Sequence, residues 1–131
     1  MNRIDVSKVP DQVVRSLRGM DRDAIRAWAK HSGQRLIEVD LNGCADKAAV
    51  MQAIARAFAL PSWFGMNLDA LYDALTDLRE RDNAKGYVVL MEGMPRTKHF
   101  DASQRGALLE VFRDVVDNYA DAKIPFRVLY G

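Results

Sequence analysis

The stretch Gly86-Tyr87-Val88-Val89-Leu90-Met91 decides how the rest of the chain is read. Behind its glycine it runs on without a charge, in apolar residues opened by the strand-favouring Tyr-Val-Val, which is the pattern of a strand covered on both faces. Such a strand belongs inside a sheet with helices packed on it, so strands and helices should alternate on either side of it. Both flanks meet that expectation. Upstream, Leu36, Ile37, Val39 and Leu41 are interrupted by Glu38 and Asp40, and Asn42-Gly43 marks a turn, giving a strand over 35 to 41. Downstream, Phe126-Arg127-Val128-Leu129-Tyr130 follows Pro125 and gives a strand over 126 to 130.

The segments between these strands repeat at helical spacing. Asp46 is placed to cap a helix running to about residue 59, with Val50, Met51, Ile54, Ala57 and Phe58 on one face. Pro61 and Gly65 bound a loop holding Trp63 and Phe64, of which Phe64 is the one expected to pack inward. Asn67 then caps a helix to about residue 79, whose stripe is Leu68, Leu71, Tyr72, Leu75 and Leu78. After 86 to 92, Asp101 or Ser103 starts a long helix with Leu108, Val111, Phe112, Val115 and Tyr119 on its apolar side. Helical crossovers between strands predict an α/β fold with a parallel, three-stranded sheet flanked by helices.

Ahead of this unit, residues 1 to 33 read as an N-terminal helical extension to a domain spanning 34 to 131. Asp21 caps a helix with Ala24, Ile25, Trp28 and Ala29 on one stripe, and Gly33 stops it. Val13, Val14 and Leu17 fit either an amphipathic turn or a strand. The extension is expected to be dispensable for any activity carried by the later helices.

Composition narrows the function classes. With 131 residues, 49% of them hydrophobic, the chain can fill a real core and is no disordered tail. Nineteen Lys and Arg against eighteen Asp and Glu leave a net charge of +1, without an overall bias toward nucleic acid or anionic lipid. Residues 1 to 35 hold eight of the basic residues, but Asp5, Asp11, Asp21 and Asp23 are interleaved with them, which weakens a nucleic-acid-binding reading. Cys44 is alone, which excludes an internal disulfide, and charges scattered over the first twenty residues exclude a signal peptide there. A soluble, cytoplasmic protein is expected.

The charge pattern is most informative where one sign is missing. No Lys or Arg occurs between Arg56 and Arg79, while Asp69, Asp73 and Asp77 recur every fourth residue. On a helix these three spread over about 80° of arc, away from the leucine stripe. Like charges at that spacing repel by a few tenths of a kcal/mol per pair, and acids late in a helix oppose its dipole. An acidic face so costly to the helix suits a basic partner, with Trp63 and Phe64 beside it as contact area. A small α/β hydrolase using these carboxylates is the rival reading. It lacks a pocket to separate their pKa values and any nearby His, and the chain has no Gly-rich phosphate loop or nucleophile elbow. His31 and His99 are isolated, Cys44 reads as a packed side chain, and no catalytic residue, metal or cofactor is expected.

Leu60-Pro61, the aromatic pair Trp63-Phe64, Gly65, Asn67-Leu68-Asp69-Ala70-Leu71 and Tyr72-Asp73-Ala74-Leu75-Thr76 follow one another without a gap. This run resembles the central segment of the barstar family, intracellular inhibitors of ribonucleases such as barnase, and Val111-Phe112-Arg113-Asp114 is similar to the family's last helix. The resemblance covers about residues 34 to 131. It implies a three-stranded parallel sheet and an acidic helix that plugs the active site of a basic ribonuclease or related toxin, from a chain that is a monomer when free. By position it implies partner contacts at Trp63, Asp69, Asp73, Thr76 and Asp114, and the acidic helix itself adds its cap Asn67 and Asp77 to the candidate partner-binding residues. Trp63 stands where a Tyr packs on the enzyme, Asp69 where an acid pairs with an enzyme Arg, and Asp73 where an acid enters the phosphate pocket. The sequence departs from the family at Tyr72, in place of a Trp, at Asp77-Leu78, in place of Gly-Trp, and at Asn118, in place of a second acid. These departures imply an altered choice of target.

Overall fold

Residues 4–61 and 64–131 are described in the computed structural model of the chain. The central stretch forms β3 (Tyr87–Glu92), and its side chains alternate between two cores: Tyr87, Val89 and Met91 enter one, Val88 and Leu90 the other. All five are at most 1% exposed, as a strand covered on both faces requires. On one side β3 pairs in parallel with β2 (Arg35–Asp40), and on the other with β4 (Phe126–Tyr130).

The sheet has four strands, where three were expected. The fourth is β1 (Gln12–Ser16), which lies parallel to β4 in the register Gln12↔Phe126 to Ser16↔Tyr130 and makes the order β1-β4-β3-β2. The strand alternative for this segment holds because Val13 and Val14 can serve opposite faces: Val13 packs with the core around Val88, and Val14 with the core around Val89.

Around this sheet stand α1 (Arg22–Ser32), α2 (Lys47–Ala57), α3 (Leu68–Thr76), α4 (Leu78–Asp82) and α5 (Ala102–Asp121). Their starts follow from capping chemistry. Asp21, Asp46, Asn67 and Asp101 each accept backbone N–H groups of the first turn, and Asp101 forms a reciprocal capping box with Gln104. Gly33 ends α1 at φ 73, a left-handed conformation that a residue with a Cβ enters only under strain. One face of the sheet is covered by Ile25 and Ala29 of α1 together with Val6, Val9 and Leu17, and the other by α2, α3, α4 and α5. No helix among the described residues is long and apolar enough to cross a membrane.

Arg127 of β4 is a charged residue inside the sheet, only 3% exposed, on the α1 side. Its guanidinium donates to Asp11 Oδ1 at 2.7 Å, to the Val9 carbonyl at 3.3 Å and to Gln34 Oε1 at 3.2 Å, and lies 4.6 Å from the centre of the Trp28 ring. Burial pulls its pKa down, and Asp11 opposes that shift. A buried cation is tolerated here because its donors are taken up by three groups, Val9 and Asp11 ahead of β1 and Gln34 ahead of β2.

The helix expected to run from Asn67 to about residue 79 ends at Thr76, and α4 starts anew at Leu78. The cause is distant in sequence. Tyr119 of α5 donates its hydroxyl to the Leu75 carbonyl at 2.6 Å and accepts the Arg79 N–H at 3.2 Å, taking the place of the bond those two backbone groups would make in an unbroken helix.

Candidate partner-binding site

Helices α3 and α5 pack side by side, and their outer faces leave an open groove of about 570 Å³. Asp69 and Asp73 enter it from α3, and Asp114, Asp117 and Asp121 from α5. Leu68, Tyr72 and Val111 supply apolar surface between the two rows. All five carboxylates belong to exposed residues, and among the described residues none of them is in an ion pair or a side-chain hydrogen bond. Among the described residues, no basic side chain lines the groove.

Two cations on α4 and α5 are engaged elsewhere. Arg113 pairs with Glu110 at 3.2 Å, and Arg79 donates to Asn118 Oδ1 at 2.7 Å with its guanidinium 5.0 Å from the centre of the Tyr119 ring. The groove therefore carries a concentrated negative potential over a partly apolar floor. Such a surface suits Arg and Lys side chains, which can lay their stems on Leu68 and Tyr72 while the charged heads meet the carboxylates.

Local structure fixes the α3 row. Asn67 accepts the Ala70 N–H at 2.8 Å and donates to the Gly65 carbonyl at 3.3 Å, so its amide holds the loop against the start of the helix. Phe64 packs inward among the core residues. Trp63, with Ser62, lies outside the described residues. The Thr76 hydroxyl donates to the carbonyls of Tyr72 at 3.0 Å and Asp73 at 3.1 Å, turned back onto its own helix. Asp77, at the junction of α3 and α4, does not line the groove.

Of the residues singled out from the sequence, the groove brings together Asp69, Asp73 and Asp114, with Asn67 at the helix start as their support. It adds Asp117 and Asp121, which sequence reasoning missed. Their signal was available, since Asp114, Asp117 and Asp121 recur at positions i, i+3 and i+7 of one helix. Cys44 is half-buried away from this surface, and burial, followed by Asp40, pushes its thiol pKa up, as befits a packed side chain.

A family model described as Barstar (barnase inhibitor) matches residues 34–131. The chain belongs to the barstar family. The match takes in both walls of the groove and three of the four strands, β2, β3 and β4, leaving β1 and α1 ahead of the part shared with the barstar family. No curated protein sequence matches the chain.

Proposed function

We propose that this protein is an inhibitor that binds and blocks the active site of a basic, barnase-like ribonuclease or a related toxin. The observation that carries the reading is the groove between α3 and α5, with five carboxylates that make no ion pair among the described residues, in a protein of the barstar family. A ribonuclease must offer cations to the phosphates of its substrate, and carboxylates held on rigid helices can occupy those positions without being cleaved. In this reading Asp73 takes a phosphate position, Asp69 and Asp114 pair with flanking Arg side chains, and Trp63 with the loop before α3 packs on the enzyme rim. Asn67 and Thr76 hold the contact helix, and Asp77 adds to the field that draws a basic partner in. Residues 34 to 131 carry the inhibitory surface of a chain that acts in the cytoplasm as a monomer without a cofactor.

Titrating the purified chain into barnase, and into any basic ribonuclease that co-purifies with it, tests the proposal by cleavage of a fluorogenic RNA. The expected outcome is loss of cleavage at one chain per enzyme, with no cleavage by the chain alone. Hydrolysis that follows the chain through purification and disappears with Asp73→Asn would establish the hydrolase reading instead.

A further inference from the structure

We propose that Asn118 is a specificity-determining residue of the groove and Arg79 its positioning residue. Together they set a hydrogen-bond donor into the acidic wall, so that the partner must carry an oxygen acceptor, a carboxylate or a carbonyl, beside its cations. The inference rests on the groove being the surface a basic partner meets.

Asn118 lines the groove on α5, four residues after Asp114 and between Asp117 and Asp121, so a neutral amide stands among carboxylates. An amide accepts at one end and donates at the other, and the end that meets a partner depends on what holds the opposite one. Arg79 of α4 decides this. A guanidinium only donates, so the atom facing its Nη1 at 2.7 Å is the amide oxygen Oδ1. Nδ2 is left as the free end, and among the described residues it makes no hydrogen bond.

Arg79 is itself fixed. Its backbone N–H donates to the Tyr119 hydroxyl at 3.2 Å, and its guanidinium lies 5.0 Å from the centre of the same ring. It makes no ion pair among the described residues, and Asn118 brings no charge to cancel its own. A cation bonded to the amide oxygen polarises the amide and strengthens its N–H donors.

The groove thus asks two things of a partner. Asp69, Asp73 and Asp114 call for cations, whereas Asn118 calls for an oxygen. A partner whose cations covered the groove from end to end would leave Nδ2 facing another donor and would stand in the field of Arg79, and both count against it.

Asn118→Asp is the sharpest test, because it keeps the shape, replaces the donor end by oxygen and adds a sixth carboxylate to the groove. Against barnase as the probe it should raise the off-rate by about fivefold, whereas a groove that only gathers cations would bind more tightly. Asn118→Ala and Arg79→Met should each raise the off-rate by a similar factor, and the double variant no further, because Arg79 acts through the amide. Arg79→Lys, which keeps a charged donor, should restore most of the loss. Tighter binding by Asn118→Asp, or additive effects of Asn118→Ala and Arg79→Met, would overturn the proposal. If Arg79→Met does not fold, the two Asn118 variants still decide whether the donor matters. Should the wild-type chain not bind barnase, that failure falls on the inhibitor reading for this enzyme, and two peptide probes take its place: penta-arginine and the same peptide with a central glutamate. By calorimetry, Asn118→Asp should then lower the preference for the glutamate peptide over penta-arginine by about threefold, and an unchanged ratio would overturn the proposal.

Discussion

The α1 face of the sheet and the groove between α3 and α5 treat charge in opposite ways. On the α1 face, Arg127 is joined to Asp11 at 2.7 Å, Arg26 to Glu38 at 2.7 Å and to Asp23 at 2.9 Å, and Arg22 to Glu92. Three of these pairs link different elements, so the charges there work as ties within the chain. The groove between α3 and α5 gathers five carboxylates that, among the described residues, make no ion pair. Those charges repel one another and weaken the fold slightly. The near-zero net charge conceals this division, and the division separates residues that hold the protein together from residues that face a partner.

Deleting residues 1 to 33 should give the largest effect. It strips β1 from β4 and uncovers Val88, Leu90 and Leu129, which α1 and the preceding segment bury. The truncated chain is expected to be unfolded or aggregated by circular dichroism and size-exclusion chromatography. The sequence alone suggested a dispensable leader. A truncation that is folded and still binds its ribonuclease within about tenfold would restore that view and break the comparison of the two regions.

Arg127→Met sharpens the comparison with a single side chain. It leaves Asp11 and the Val9 carbonyl without their donor while keeping most of the volume beside Trp28, and should lower stability by about 3 kcal/mol in urea denaturation. Partner affinity of the folded variant should not change. A loss of affinity at unchanged stability would mean that the α1 face contributes to binding.

Asp73→Ala should show the reverse pattern: unchanged or slightly raised stability, and binding weaker by at least 2 kcal/mol, about thirtyfold, mainly through a faster off-rate. That figure is the general cost of removing one member of a desolvated charge pair, for which barnase with barstar is itself the reference system and not an independent forecast. Equal losses at every carboxylate of the groove would instead describe a diffuse acidic field.

These contrasts also mark what was legible in the sequence. The strands β2, β3 and β4 and the capped helix starts were readable because their signals are local: a hydrophobic period, a turn pair, an Asn or Asp ahead of a stripe. Asp69 and Asp73 were readable for the same reason. What escaped depends on pairings far along the chain. β1 is a five-residue run whose identity is settled by register with β4 at the opposite end of the sequence. The end of α3 is set by a hydroxyl 44 residues away. Asp117 and Asp121 were overlooked for a different cause: α5 also carries Arg105 and Arg113, so its composition did not advertise an acidic face, and only packing against α3 shows that its carboxylates share one groove.

Asp77→Ala should produce the smallest effect, and it tests whether position in the groove or charge alone matters. Asp77 bears the same charge as Asp73 four residues earlier, yet it does not line the groove. An exposed charge outside the contact acts on the approach of a basic partner through its long-range field, so its removal should lower the on-rate modestly and leave the off-rate alone. That contribution should fade between about 50 and 500 mM salt as the Debye length shrinks from well over 10 Å to a few ångströms. Over the same range Asp73→Ala should keep most of its off-rate effect, because a carboxylate buried against enzyme cations is shielded from mobile ions. Stopped-flow association and dissociation of both variants at the two salt concentrations provide the measurement. If salt erased the two losses equally, Asp73 would be acting at a distance like Asp77, and its assignment to a phosphate position would have to be withdrawn.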